Sequence, residues 1–256
     1  MKFDNETSII QQKIANGYAG VSRRLAIINA LNLETNETVI DIGCGGGHLI
    51  EDLALAVGPR GKVLGLDPSE SQLAGANKRC ANLSNVELLC RPAEDTQLSN
   101  NSLDSATSTQ TLEYIKDVDM ALCELARVIK PSAKFVNVSI LWDHFRFHGP
   151  ETKLNNLIHE AFRAHCFHQM LPLELETKLC KLGFKNFKNK VLAFLITKRH
   201  SNSPAQFSEE VLARFAIAQG VSETKVLDWR YQLATAEKNG TFGFTSFPVL
   251  TEATFG

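Results

Sequence analysis

The sequence predicts an α/β protein: a seven-stranded, mostly parallel sheet with helices on both faces, extended by helices in its C-terminal half. Three observations predict it. Short β-branched apolar runs alternate with amphipathic stretches between residues 38 and 141, the pattern of βαβ units whose strands are buried on both faces. A glycine-rich loop follows the first of those runs directly. A chain of 256 residues, 44% hydrophobic and 21% charged, suits one large globular domain and excludes disordered and fibrous classes.

The elements follow in order. Between Ser8 and Leu31, Ile9, Ile10, Ile14, Val21, Leu25 and Ile28 recur at helical spacing, interrupted by Gly17 and Gly20, which reads as two short helices. Thr38–Ile42 is a strand, Gly43–Gly47 a loop, and His48–Val57 a helix ended by Gly58 and Pro59. Lys62–Leu66 is a second strand ending at Asp67. Ser69–Cys80 is a helix with Ser69 as its N-cap. Val86–Cys90, Leu103–Thr107 and Lys134–Leu141 are strands three to five. The last two flank a helix over Asp117–Lys130 that Pro131 stops. Beyond Leu141 come helices over Thr152–Gln169 and Leu173–Leu182, a strand over Phe187–Thr197, helices over Ser208–Gln219 and Ser222–Lys238, and a strand region over Thr241–Thr254. His200–Pro204 reads as a linker too short to separate a second domain. The expected layout is one domain over 1–256. It has N-terminal helices to 37, a core over 38–141, a lid or acceptor segment over 142–170, and a C-terminal part with a helical insertion at about 205–239.

The net charge is −1, which argues against a general nucleic-acid or membrane-surface binder, although residues 151–200 carry nine basic groups against four acidic ones. There is no leader-like apolar segment and no apolar run long enough to span a bilayer, so a cytoplasmic location is expected. Cys44, Cys80, Cys90, Cys123, Cys166 and Cys180 form no CxxC pair and read as reduced, small hydrophobes.

The chemistry concentrates in Val39-Ile40-Asp41-Ile42-Gly43-Cys44-Gly45-Gly46-Gly47-His48. Gly43 and Gly45 let the backbone turn tightly and lie against a ligand, and the loop amides with the helix N-terminus face it with partial positive charge. Asp67 ends the next strand, where an acid accepts hydrogen bonds from both hydroxyls of a ribose. A dinucleotide fold would prefer G-x-G-x-x-G. Here Asp41 stands directly before the loop, which disfavours a pyrophosphate and suits a ligand with a cationic amino group. S-adenosylmethionine has both an amino group and a ribose. A purely structural glycine turn is the competing reading; Asp41 and Asp67 together weigh against it.

Val39–His48, Leu64–Ser69, Arg91–Asp95 and Leu103–Lys134 resemble the ordered motifs of the class I S-adenosylmethionine-dependent methyltransferases, particularly their ubiquinone/menaquinone-type branch, over about half the chain. The resemblance implies a Rossmann-like sheet and S-adenosyl-L-methionine as cofactor. It implies that Asp41, Gly43, Cys44 and Gly45 hold the methionine end and Asp67 the ribose. Pro68, Ser69, Ala93 and Glu94 would lie beside the adenine, and Gln110 near the cofactor's amino acid. Two positions depart from the family's pattern. Pro92 stands where an acid commonly reads the adenine, with Glu94 or Asp95 as substitutes. Pro131-Ser132-Ala133 replaces a Pro-Gly-Gly turn.

The methyl acceptor should lie beyond the carboxyl ends of strands four and five. The segment Trp142-Asp143-His144-Phe145-Arg146-Phe147-His148 is either a surface loop with one buried Trp or a pocket wall. On the second reading Tyr18, Trp142, Asp143 and His148 contact the acceptor. His144 is the first candidate base, with Tyr114 and His148 behind it; an unprotonated amine acceptor would need none. The pairs His144/His148 and His165/His168 lack a carboxylate or thiolate to complete a ligand set, so no metal is expected. The lysines of residues 151–200 leave RNA as a remote partner, since Phe184, Phe187 and Phe194 fall at core-like spacings. The leading reading is methyl transfer to a small-molecule O, N or C nucleophile. The alternatives are arsenite or thiol methylation through Cys44 and Cys166, and a non-catalytic partner protein of the same fold. Oligomeric state is left open.

Overall fold

The computed structural model describes residues 15–200 and 203–256. Ile9, Ile10 and Ile14, read above as part of a helix, lie outside the described residues, as do Ser201 and Asn202 of the linker. Helix α1 (Tyr18–Leu31) leads into β1 (Thr38–Ile42), α2 (His48–Val57), β2 (Lys62–Leu66), α3 (Glu70–Cys80), β3 (Val86–Leu89), β4 (Leu103–Thr109), α4 (Val118–Val128) and β5 (Ile129–Ile140). Then come β6 (Arg146–His148), α5 (Thr152–Phe162), α6 (Leu171–Lys181), β7 (Phe184–Val191), β8 (Phe194–Ile196), α7 (Pro204–Ala218), α8 (Glu223–Lys238), β9 (Gly243–Ser246) and β10 (Pro248–Phe255).

Seven strands form one sheet in the order β3-β2-β1-β4-β5-β10-β7. Strands β1 to β5 pair in parallel; β10 runs antiparallel to both β5 and β7. Alternation along each strand feeds two cores. Val39 and Val63 pack with Ile27, Leu31, Leu53 and Val57 under α1 and α2. Ile40, Ile42, Leu64 and Leu66 pack with Leu122, Leu125, Leu175 and Leu179 under α4 and α6. Apolar residues on both faces of one strand explain why it reads as a continuous apolar run. Ser69 caps α3 as expected, accepting from Gln72 N–H. The order reverses at β1, between β2 and β4. The crevice there opens at the carboxyl ends of the strands, which places the glycine loop.

The C-terminal half departs from the sequence reading in three places. The strand expected over Phe187–Thr197 is two, β7 and β8, in different sheets. The region Thr241–Thr254 is likewise two, β9 and β10. Strands β6, β9 and β8 form a separate three-stranded sheet that the sequence reading did not anticipate. The chain changes sheets at Leu192–Ala193 and at Phe247, where Leu192 N–H still bonds Pro248 O at 2.8 Å and Leu141 N–H bonds Phe247 O at 3.0 Å. An unbroken apolar run over residues 191–196 passes through the first point, so no change of local pattern marks that switch. The helix expected over Thr152–Gln169 stops at Phe162 and tightens into a single 3-10 turn over Arg163–His165. The Gln169 side chain donates to the carbonyls of Arg163 and Cys166, groups that the helix end leaves without partners.

The second sheet and helices α5, α7 and α8 share a third core around Trp142, Phe147, Phe162, Trp229, Phe242 and Phe244. Within it Trp229 Nε1–H donates to Asn155 Oδ1 at 2.9 Å, and Asn155 Nδ2 donates to Phe147 O at 2.8 Å. Three of the lysines of residues 151–200 also find a structural account. Lys185, Lys188 and Lys190 lie exposed on β7, the edge strand of the large sheet, and charge there discourages pairing with another chain.

The Pro131-Ser132-Ala133 turn is a distortion within β5. Leu103 pairs with Ile129 but Ser105 with Lys134, and Ser132 sits at φ +69°. A left-handed residue with a Cβ costs roughly 1–2 kcal/mol, while glycine gives back about half of that in backbone entropy. Ser132→Gly is therefore expected to raise stability by about 0.5–1 kcal/mol, read as a higher denaturant midpoint with unchanged slope.

Candidate active site

One cavity of about 1240 Å³ opens at the carboxyl ends of β1, β2 and β4 and continues under the third core. That is more than a single drug-sized ligand fills. Its two ends differ in chemistry.

The first end is built on β1 and β2. Gly43, at φ +76°, turns the chain so tightly that a Cβ there would stand 2.1 Å from Thr111 Oγ1, so only glycine fits. The loop then offers Gly45 N–H, which donates to Asp67 Oδ2 at 3.0 Å, while Ser69 N–H donates to Asp67 Oδ1 at 2.9 Å. Two amides thus hold the strand-terminal carboxylate in one orientation and leave it lone pairs to spare. Asp41 is buried, and its Oδ1 has no hydrogen-bond partner among the described residues. Burial, reinforced by Asp67, pushes its pKa up to about 7. A buried carboxylate oxygen without a donor fits a cationic amino group. Cys44, Pro68, Ser69 and Gln110 line this end, as do Ala93 and Glu94. Of the two acids considered as substitutes beside Pro92, Glu94 is on the lining; Asp95 is not and accepts from Gln97 Nε2.

Arg23, on α1, was not singled out from the sequence. Its guanidinium lines the cavity and donates to Gln110 Oε1. Burial pulls its pKa down to about 10, opposed by the negative charge of Glu113. Gln110 is held for this contact at φ +50°, with its N–H on Val138 O at 2.7 Å. Nothing in the local pattern marks Arg23, because a polar position on an amphipathic helix looks the same whether it faces solvent or a site.

The second end is aromatic. Tyr114 meets Trp142 edge-on at 6.5 Å between centroids and His165 at 5.8 Å. Trp142 and His165 lie 4.3 Å apart, and His165 stacks on Phe162 at 4.0 Å. Burial pushes the Tyr114 hydroxyl well above its ordinary range. Glu113 ties this end together. Its buried carboxyl accepts from Ser139 Oγ at 2.9 Å and Ile140 N–H at 3.4 Å, and its backbone carbonyl accepts from Phe167 N–H and His168 N–H. Burial raises its pKa to about 7.

Three expected acceptor residues fall elsewhere. Trp142, Tyr114 and, at the mouth, Tyr18 line the cavity. His144, Asp143 and His148 do not. Trp142–His144 forms a 3-10 turn that carries Trp142 inward and leaves Asp143 outside, paired with Arg163. His144 rests beside Phe247, and exposed His148 bonds Thr245. Of the lining histidines His48, His165 and His200, it is His165 that lies against Tyr114 and Trp142, brought in by the 3-10 turn that ends α5 early. The thiol alternative gains nothing: burial pushes Cys166 to about 12 and raises Cys44 further, whereas a nucleophilic thiolate needs the opposite shift. Among the described residues no three His, Cys, Asp or Glu side chains gather as a metal set. No helix among them is long and apolar enough to cross a membrane.

Comparison with known proteins agrees with this geometry. Residues 40–137 match the family described as "Methyltransferase domain". Over those residues the chain carries a methyltransferase domain. It is 33% identical over 113 residues to a demethylmenaquinone methyltransferase of Staphylococcus carnosus, a match covering 44% of this chain and 47% of that one. Among solved structures it resembles Haemonchus contortus phosphoethanolamine N-methyltransferase 2, at a TM-score of 0.65 and 17% identity, covering 99% of this chain and 58% of that one. It also resembles geranyl diphosphate C-methyltransferase of Streptomyces coelicolor A3(2), at a TM-score of 0.60 and 15% identity, covering 93% and 76%. The chain spans about half the length of the curated relatives it matches.

Proposed function

We propose that this chain binds S-adenosylmethionine at the β1/β2 end of the cavity and transfers its methyl group to a small-molecule acceptor at the aromatic end. The observation that carries the reading is the continuity of one cavity between a polar end, where a buried carboxylate oxygen has no partner among the described residues, and a largely apolar chamber. Asp41 takes the amino group and Arg23 the carboxylate of the cofactor's amino acid. Asp67, oriented by two backbone amides, accepts from the ribose hydroxyls. Pro68 and Ala93 offer apolar surface to the adenine, with Glu94 at its edge.

The bound cofactor supplies an already activated methyl group on a sulfonium. The protein's task is therefore alignment and exclusion of water. Gly43 and Gly45 let the backbone approach closely; the aromatic chamber holds the acceptor in line and keeps water out. The chamber, with few charged groups on its walls, favours an apolar or planar acceptor body and weighs against a polymer such as RNA.

Titration calorimetry with S-adenosylhomocysteine tests the cofactor half. The intact protein is expected to bind, and Asp67→Ala to bind about 30- to 100-fold more weakly at unchanged circular dichroism, the loss of two charge-assisted hydrogen bonds. No binding by the intact protein would sink the proposal. Transfer of labelled methyl into a metabolite extract, with the product identified by mass spectrometry, tests the acceptor half. Binding without transfer to any small molecule would leave a cofactor-binding partner protein instead.

A further inference from the structure

Two buried polar atoms at the aromatic end have no hydrogen-bond partner among the described residues: Nε2 of His165 and Nε1–H of Trp142. Both rings line the cavity. The protonation of His165 follows from its other nitrogen. Nδ1 lies 2.7 Å from Phe162 O, and a carbonyl only accepts, so Nδ1 carries the hydrogen and Nε2 presents a bare lone pair. Burial keeps the ring neutral, drawing its pKa down to about 4. The chamber therefore holds one orphan acceptor and one orphan donor on rings whose centroids are 4.3 Å apart, with the ring of Tyr114 against both.

We infer that His165 and Trp142 clamp a hydroxyl group borne on an aromatic ring, and that the enzyme is an O-methyltransferase with His165 as the base. The inference rests on the methyltransferase reading above and deepens it. The argument is lone-pair arithmetic. A hydroxyl oxygen has one hydrogen to give His165 Nε2 and two lone pairs, one to accept from Trp142 Nε1–H and one to attack. A neutral amine has a single lone pair, so accepting from Trp142 removes its nucleophile. A carbon nucleophile has no lone pair for Trp142 at all. In the step, the oxygen–methyl bond forms as the sulfur–methyl bond breaks, and that bond's electron pair returns to sulfur. The hydroxyl proton passes to His165 Nε2, leaving an ether, a neutral thioether and an imidazolium.

The test uses the full chain with labelled S-adenosylmethionine and three matched probe sets: mono- and dihydroxylated benzenes and naphthols, their amino counterparts, and the parent hydrocarbons. S-adenosylhomocysteine calorimetry on the same samples reports the underlying reading separately. Label on oxygen is expected from the hydroxyl set. His165→Phe, which keeps the stack on Phe162, and His165→Gln are expected to lose ~100-fold or more in kcat at unchanged S-adenosylhomocysteine affinity. Trp142→Phe is expected to lose roughly tenfold. A nitrophenol, ionised at a pH where phenol is not, needs no base, so it is expected to recover most of its rate in His165→Phe. Mere structural damage would not be rescued that way. Label on nitrogen or carbon overturns the inference. So does a protein that binds S-adenosylhomocysteine but methylates no hydroxyl probe, or a His165→Phe variant as fast as the intact protein. Failure to bind S-adenosylhomocysteine defeats the methyltransferase reading itself.

Discussion

Asp41→Asn is expected to stabilise the protein and weaken its cofactor binding at the same time. Asp41 is 2% exposed, and burial, then Asp67, lift its pKa from 3.8 to about 7. Below about pH 4 the carboxyl is protonated in the folded and unfolded chain alike, so its contribution to stability is fully present. As pH rises toward 7 the unfolded chain ionises first and that contribution is progressively lost. Above pH 7 the folded protein carries a buried charge that costs on the order of 4 kcal/mol. Asparagine has nearly the same shape and no charge, but it brings an amide that must also find partners. A net gain of about 2 kcal/mol, or roughly 5 °C in Tm, is expected near pH 8, and almost none near pH 4. Thermal scans at the two pH values check this.

The same substitution removes the partner proposed for the cofactor's amino group, and S-adenosylhomocysteine affinity should fall about 10- to 100-fold. In the intact protein that affinity rises with pH up to about 7 and then levels, because Asp41 must give up its proton to bind the amine. In Asp41→Asn it stays flat over the same range. The stability given up at this carboxylate is what makes it ready for a cation.

Glu209→Ala is expected to cost about 3 kcal/mol of folding stability. Glu209 lies buried on α7, where one carboxyl oxygen accepts from Arg199 at 2.6 Å and the other from Arg230 at 3.0 Å. Arg199 also pairs with Glu237 at 3.0 Å and lies over the ring of Phe242, so the network joins α7, α8 and the segment after β8. Removing the central acid leaves Arg199 partly buried with a single partner, which places the loss at the low end for a broken buried pair. A lower urea midpoint at unchanged slope checks it. Glu209→Gln, which keeps hydrogen-bonding capacity without charge, should lose less. This network holds the helices that roof the aromatic chamber, so the alanine variant should lose stability while S-adenosylhomocysteine affinity at low temperature is retained.

The two halves of the site differ in how much of them could be read from the chain. Asp41, Gly43, Gly45 and Asp67 were legible because they come from adjacent βα units, and short-range order alone places them together. The aromatic end was legible only in part. Trp142 and Tyr114 follow the ends of β5 and β4 and were placed by the same rule. His144 was the wrong histidine for the chamber. A 3-10 turn rotates its side chain away from Trp142, and a three- or four-residue spacing does not distinguish that turn from an α-helix. His165 reaches the chamber because α5 stops at Phe162, where His165 stacks on Phe162 and the Gln169 side chain captures the carbonyls beyond the helix end.

Residue pattern alone determined the parallel sheet, its two apolar faces, the glycine loop and the acids beside it. All of these depend on side-chain period and on neighbours a few residues away. Folding in three dimensions decided which strands leave the main sheet at Leu192–Ala193 and Phe247, that Arg23 faces the cavity, and that His165 takes the place expected of His144. The change of sheet and the place of Arg23 rest on contacts between segments 80 to 100 residues apart, such as Arg23 with Gln110 and His148 with Thr245. No local period in the chain encodes them.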